Sequence, residues 1–389
     1  MSTILPEIPR APLTALNEEE RLFRDTVRQF AEEVVAPRVS AMDAAGQLEP
    51  DLIRQLFDIG LMAVELPERH GGAGASFFSS VLVVEELSRV DPSVAVLVDV
   101  QNTLINTAIQ RWGTESQKRA HLPRLARDTV GSYALSEAGS GSDAFALQTR
   151  AWREASQWVL AGRKMWITNG AEAGLFIVFA NAQPESDYRG ITAFLVERDT
   201  DGLAIGKKED KLGIRASSTV EVILDHCRVG EGAVLGDVGN GYKIAIETLN
   251  EGRIGIGAQM VGLAQGALDH TLRYVREREQ FGRPIGDFQG VQFQLAHMRT
   301  ELEAARLLVY NAARLKEAGQ PFLVEAAMAK LFASEAAQRI ASGCVDLFGG
   351  YGFTREYPIE KLYRDAKIGT IYEGTTNMQM QTIAKYILR

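Results

Sequence analysis

The 389-residue sequence predicts a mainly α-helical protein interrupted by one β-domain. Two observations carry this. Apolar residues recur at helical spacing in the first third and again, in long Ala-rich runs, in the last third. Between them, short β-branched or alternating runs are separated by Gly, Asn and Asp. The expected order is an N-terminal helical domain over residues 1–130, a β-barrel-like middle domain over 131–235 and a C-terminal four-helix bundle over 236–389. More than one domain suits the length, because single cores stop growing near ~250–300 residues.

The elements follow in order. Asn17 with Glu20 makes a capping-box pattern ahead of Phe23, Val27, Phe30 and Val34. DLIRQLFDIG supplies a short helix, RHGGAGAS a glycine-rich loop and SFFSSVLVVEELSRV a further helix. Asp91-Pro92 is a cap and first-turn pair. The helix it opens runs through NTLINTAIQRW, is apolar on nearly every side and should be buried. YALSE, QTRAW, WVLAG, LFIVFA, ITAFLVE and TVEVILD read as strands. After GNGYK come three long helical segments, IAIETL to RYVRER, FQGVQF to LKEAG and PFLVEA to CVDLF, which pack on each other or on sister subunits. IYEGTTNMQ, Ile371 to Gln379, is a short loop feeding a last helix, MQMQTIAKYIL, with Thr and Asn available as caps. Taken alone, Glu373 in that loop is an exposed acid near a helix start, where its charge suits the dipole.

Composition excludes several classes. Hydrophobic content of 46% and charged content of 24% fit a soluble globular protein. A net charge of −8 without an Arg/Lys stripe argues against a nucleic-acid surface. The two cysteines, Cys227 and Cys344, lie far apart, form no metal pattern and point to a reducing compartment, the cytoplasm. The five histidines are scattered, so no metal is expected. MSTILPEIPRAPL lacks the apolar core of a signal peptide. The most apolar run, VLVVEELSRVDPSVAVLVDV, is broken by Glu85, Glu86, Arg89 and Asp91, so no membrane insertion is expected.

GSGSDA, Gly139 to Ala144, spells the dinucleotide fingerprint G-x-G-x-x-A. That motif must open a helix, whereas ALQTRAW and WVLAG continue as strand. The glycines mark a turn where backbone approaches a ligand, or a plain turn. There is no Walker A loop, HExxH helix or G-x-S-x-G elbow. Individually, MWITNG (Met165 to Gly170) would end a strand with a core-filling Trp. REQFGRP (Arg278 to Pro284) would be a surface turn ending a helix, and DLFGGYGF (Asp346 to Phe353) a glycine-rich connection.

Together and in this order, YALSEAGSGSD, MWITNG, KLGIRASST, LNEGRIGIGAQMVGLAQGA, REQFGRPIGDFQGVQ and LFGGYGFTREYPIEKLYRDAKIGTIYEGTTN resemble the acyl-CoA dehydrogenase family, from about Asn17 to the C-terminus. SVAVLVDVQNTLINT, KLGIRASST, LNEGRIGIGAQM and FQGVQFQLAHMRTELEAARLLVYNAARL are most similar to its short/branched-chain, 2-methyl-branched members. The resemblance implies the same three-part fold, FAD as cofactor, and a homotetramer (a dimer of dimers) with flavin sites shared between subunits. It implies oxidation of a short or 2-methyl-branched acyl-CoA to the trans-2-enoyl-CoA. The β-hydride would pass to flavin N5 and the electrons onward to an electron-transfer flavoprotein. A straight short-chain (butanoyl-CoA) dehydrogenase, an oxidase and a non-catalytic scaffold of the same fold are the alternatives.

The resemblance also assigns residues. Glu373 would take the α-proton; a free Glu titrates near ~4.3, and burial would have to bring it to roughly 6–7. Its amide would donate to the thioester oxygen. Isovaleryl-type relatives carry the base on a helix immediately before the Arg matching Arg253; here that position is Gly252. Glu251, about 100° around the helix, is expected to be solvated or ion-paired. Tyr133 to Ser142, with Leu135, Ser136 and Gly141 among them, and Trp166, Ile167 and Thr168 would wall the isoalloxazine. Arg278, Phe281 and Gln289, together with Asp346, Leu347, Phe348, Gly349 and Gly350 from a neighbouring subunit, would hold the pyrophosphate and adenosine. Thr375, Thr376 and Asn377 would meet FAD at a helix N-terminus. Ser142, Tyr188, Tyr242, Asn250, Arg253 and Gly374 would meet the acyl-CoA, and Gly252 would leave room for a 2-methyl branch.

Overall fold

The computed structural model describes residues 12–388; residues 1–11, on which most of the leader-peptide reading falls, lie outside the described residues, as does Arg389. The capping box is complete: Asn17 Oδ1 accepts from the Glu20 amide at 2.8 Å, and the Glu20 carboxylate accepts from the Asn17 amide at 3.0 Å. Helices α1 (Glu18–Phe30), α2 (Val39–Ala45), α3 (Pro50–Asp58), α4 (Phe77–Val90), α5 (Pro92–Asp99), α6 (Thr107–Trp112) and α7 (Glu115–Arg127) follow. Asp91 caps α5, accepting from the Ser93 amide at 2.9 Å. Between α5 and α6, residues Val100–Asn106 widen into a π-helical stretch. Every residue from Pro92 to Ile109 is buried, as the all-round apolar pattern predicts.

Strands β1 (Gly131–Ala134), β2 (Arg150–Glu154), β3 (Gln157–Thr168), β4 (Leu175–Asn181), β5 (Ile191–Glu197), β6 (Leu203–Lys208), β7 (Thr219–Gly230) and β8 (Val234–Leu235) form one sheet in the order β6-β7-β3-β2-β4-β5-β8. β1 runs parallel beside β4. β4 is buried on both faces, which is why LFIVFA is a continuous apolar run. Phe176, Val178 and Ala180 enter the core of the sheet with Trp158 and Phe194. Leu175, Ile177 and Phe179, pointing the other way, enter the helical core.

The chain then forms α8 (Gly241–Glu277), the small hairpin β9 (Glu279–Gln280) and β10 (Arg283–Pro284), α9 (Gln289–Glu317), α10 (Leu323–Phe348), α11 (Ile359–Ala366) and α12 (Thr376–Ile387). α10 packs on α8, α9 and α12. α4 crosses α8 where Gly262 and Gly266 bare the helix; a Cβ at either would collide with the Glu85 or Arg89 carbonyl. Ser88 Oγ adds a hydrogen bond to the Gln259 carbonyl at 2.6 Å. A buried ion cluster ties three regions together. Lys361 on α11 donates to Asp91 at 2.9 Å and to Asp365 at 2.6 Å, and Asp365 accepts from the Ile214 amide of the KLGIRASST loop.

Candidate active site

The loop between α11 and α12 turns through two successive left-handed residues, Glu373 at φ +50° and Gly374 at φ +85°. Glycine adopts this freely; a glutamate there costs ~1–2 kcal/mol. Side chains on either side hold the turn. Thr375 caps α12, accepting from the Met378 amide. Gln379 Nε2 donates to the Glu373 carbonyl at 3.1 Å and to the Gly374 carbonyl at 2.9 Å. Lys330 Nζ, on α10, donates to the same Gly374 carbonyl at 2.6 Å.

Fixed in this way, the Glu373 side chain lies against α8. A Cβ at Gly252 would stand 2.9 Å from Glu373 Oε2 and 3.2 Å from Leu104 Cδ2. Glu373 is half-buried as a residue, but its Oε2 is sealed from solvent and has no hydrogen-bond partner among the described residues. Burial pushes the carboxyl up to about 7, against the pull of Lys330 and Arg253. Burial likewise pushes the Lys330 ammonium down to about 7, with Glu373 drawing it up and Arg253 drawing it down. Arg253 donates to Asn250 Oδ1 at 3.0 Å, while its Nε is buried without a partner. The structure therefore brings Glu373, Gly374, Asn250, Gly252 and Arg253 together.

A second carboxyl lies one helical turn further along α8. Asp99 packs on the bare backbone of Gly255, and burial and the Glu373 charge hold its carboxyl well above the usual range. Tyr372 donates to Gln259. Tyr133 on β1 bonds Thr248 at 2.9 Å and is within electrostatic reach of Glu373. A carboxylate titrating near neutrality, with one oxygen sealed and free of competing bonds among the described residues, is equipped to take a proton from carbon.

Glu251 is not solvated. It is 1% exposed and ion-paired, with Arg111 and with Lys316, the latter at 3.1 Å. Its Oε1 faces Arg111 and its Oε2 faces Lys316.

Trp166 is not core filling. The β3–β7 register slips between Lys164 and Ile167, and this bulge places Trp166 at φ +59° with half of its surface exposed. Met165 donates its amide to the Ser136 carbonyl at 2.9 Å, joining the YALSE and MWIT segments. Leu135 and Ile167 are buried. Thr168 and Ser136 are half-buried, and Gly141 and Ser142 are exposed. Behind this wall, the fully buried Lys164 donates to Glu137 at 2.7 Å and to the Leu135 carbonyl at 3.0 Å. The sequence reading missed that pair.

Tyr188 and Tyr242 meet edge to face at 5.2 Å, and Phe145 joins both at 6.3 and 6.5 Å. Phe145 was also missed, although it follows GSGSDA directly. Elsewhere, Arg278 and Leu347 to Gly350 line one hollow of about 550 Å³, with Tyr274 and Tyr351 among its walls. Phe348 itself stacks on Tyr274 at 4.0 Å. Phe281, at φ +53°, and Gln289 are exposed and lie outside that lining, and Asp346 faces a different hollow with Arg339, Arg364 and Lys367. At the start of α12, Thr376 is half-buried and Asn377 is exposed.

Three family models match the chain: "Acyl-CoA dehydrogenase, N-terminal domain" over residues 17–129, the middle domain over 132–227 and the C-terminal domain over 239–388. A short/branched chain specific acyl-CoA dehydrogenase, mitochondrial, from Rattus norvegicus is 55% identical across 97% of this chain and 87% of its own length. Among solved structures, butyryl-CoA dehydrogenase from Megasphaera elsdenii superposes with a TM-score of 0.95 at 40% identity, covering 96% of this chain and 99% of that one. A glutaryl-CoA dehydrogenase from Mycobacterium smegmatis in complex with FADH2 superposes with a TM-score of 0.91 at 34% identity, covering 96% and 95%.

Proposed function

The chain belongs to the acyl-CoA dehydrogenase family, and from that premise we propose that it oxidises a short, 2-methyl-branched acyl-CoA to the trans-2-enoyl-CoA with Glu373 as the base. It is an FAD-dependent acyl-CoA dehydrogenase, and FAD, when bound, accepts the hydride that leaves the β-carbon. The residues present suit that cofactor. The bulge turns the Trp166 ring outward beside Ser136 and Thr168. Gly349 and Gly350 leave bare backbone beside Arg278, a combination suited to a pyrophosphate.

The observation that carries the proposal is Glu373 Oε2, sealed from solvent and without a hydrogen-bond partner among the described residues, on a carboxyl raised to about 7. Its Oε2 has no hydrogen bond to break before it takes the α-proton. As it does so, the Glu373 amide stabilises the charge developing on the thioester oxygen. Lys330 and Gln379 keep the loop from moving during the transfer. Tyr188, Tyr242 and Phe145 offer an aromatic mouth for the acyl-CoA, and Ser142 lies three residues before Phe145. Gly252, with no side chain between α8 and Glu373, supports a substrate branched at the carbon that loses its proton.

The electron acceptor in this reading is an electron-transfer flavoprotein, reached past the half-exposed Trp166 ring. The homotetramer is supported by exposed Phe281, Phe293, Phe353 and Leu388, apolar surface that a partner subunit would cover. Cys227 and Cys344 are buried free thiols, which supports a reducing compartment; the cytoplasm is our assignment, whereas the Rattus norvegicus relative is described as mitochondrial. Among the described residues no helix is long and apolar enough to cross a membrane.

The test compares kcat/KM for butanoyl-, 2-methylbutanoyl-, isobutanoyl- and isovaleryl-CoA with an electron-transfer flavoprotein as acceptor. The branched reading expects 2-methylbutanoyl-CoA to lead. A clear preference for butanoyl-CoA would establish the straight-chain alternative, and peroxide formation faster than electron transfer would establish an oxidase.

A further inference from the structure

We propose that Lys330 is a positioning residue for this reaction: from α10 its buried ammonium holds the Glu373–Gly374 turn through the Gly374 carbonyl. The inference rests on the reading of Glu373 as the base.

Lys330 is 0% exposed and stands among the buried alanines Ala326, Ala327, Ala329 and Ala333. Burying an ammonium costs several kcal/mol unless an anion or good acceptors repay it. A methionine would fill the same space without that cost, so the charge needs its own explanation. The hydrogen bond it makes is to a backbone carbonyl, Gly374 at 2.6 Å, and not to a carboxylate. The anion that acts on it is Glu373.

The groups facing the pair from each packed element leave few other roles. On α8, Arg253 is the second cation and is already bonded to Asn250. On α5, burial and the Glu373 charge favour the neutral form of Asp99. Tyr372, next to the base, and Tyr133 on β1 are both held protonated by burial. Without a cation, burial alone would keep Glu373 protonated at neutral pH and idle as a base. Lys330 opposes that, and it does so while gripping the turn that aims the carboxylate. Gln379 grips the same carbonyl with no charge, so the two contributions can be separated by mutation.

The experiment measures flavin content and the pH profile of kcat/KM for the purified flavin-bound enzyme and for Lys330→Met, Lys330→Gln and Gln379→Met. Both Lys330 variants are expected to stay yellow and to move the acid limb upward by about one pH unit. Lys330→Met should also lose kcat by ~10-fold or more, and Lys330→Gln less, because its amide can still donate to Gly374. Gln379→Met should lower kcat and leave the acid limb in place. If Lys330→Met fails to hold flavin, the limb of Lys330→Gln decides. An acid limb at the wild-type position in Lys330→Gln overturns the inference. Glu373→Gln separates the two levels: a dead Glu373→Gln with an unmoved Lys330→Gln limb sinks only the Lys330 role, whereas an active Glu373→Gln removes the base itself.

Discussion

Replacing Gly252 by Ala tests the geometry of the site with a single methyl group. The new Cβ would stand 2.9 Å from Glu373 Oε2, so the carboxylate must retreat by about half an ångström to reach ordinary contact, and Leu104 Cδ2 at 3.2 Å must yield slightly. The far end of a glutamate can move that much without disturbing the fold. The helix itself gains, because Ala is better than Gly in a helix interior by up to ~1 kcal/mol. Stability and activity should therefore change in opposite directions. A misplacement of 1 Å can cost ~10²-fold in rate, so half of that distance should lower kcat/KM by roughly tenfold. Loss should be greater on 2-methylbutanoyl-CoA than on butanoyl-CoA, because the methyl occupies space that the branch would need; one methyl is worth ~1–3 kcal/mol in such a pocket. The assay is steady-state kcat/KM on both substrates beside a thermal melt of the flavin-bound protein. Wild-type kcat/KM on both substrates with an unchanged melt would refute the placement of Gly252 against the base.

Glu373→Gln should keep its yellow flavin and lose turnover by ~10²–10⁴-fold; near wild-type kcat would point to another base. The raised Glu373 carboxyl sets the pH dependence: kcat/KM should fall about tenfold per unit as pH drops below about 7 and level off above it, and a flat profile down to about pH 5 would contradict the assignment. The same group binds its proton more tightly in the folded than in the unfolded chain, so it favours folding at low pH and opposes it as pH rises through about 7. Glu373→Gln should accordingly gain melting temperature relative to wild type as pH rises from about 4.5 to about 7, and a constant gap across that window would count against it. Lys361→Met leaves Asp91 and Asp365 buried without their cation and should cost ~3–5 kcal/mol in denaturant unfolding; a loss under ~1 kcal/mol would show that the cluster is not buried as described.

Features set by neighbouring residues were legible in the sequence. The Asn17–Glu20 box and the Asp91-Pro92 start were visible because capping is decided within a few residues. The buried α5–α6 segment and the main strands were visible through their periodicity. β6 and β8 were missed because LAIGKK and VL are too short or too polar to show an alternation, and α11 because it hides behind a glycine-rich stretch. The π-helical stretch at Val100–Asn106 and the bulge at Trp166 arise from packing and strand register, which no local pattern encodes. The site divides in the same way. Alone, Glu373 had the appearance of a surface acid; its shelter comes from Gly252 on α8, Leu104 beyond α5 and Lys330 on α10, residues distant in the chain. Glu251 was left open between solvent and ion pairs because Arg111 and Lys316 meet it only through tertiary structure.

The most direct measurement is the anaerobic mixing of the purified yellow protein with 2-methylbutanoyl-CoA, followed by visible flavin absorbance in one turnover, for wild type and Glu373→Gln. The wild type should bleach rapidly, and Glu373→Gln should bind the acyl-CoA yet bleach ~10²-fold more slowly or worse. Equal bleaching rates in the two proteins, or a wild-type flavin that does not bleach with any short acyl-CoA, would contradict proton abstraction by Glu373.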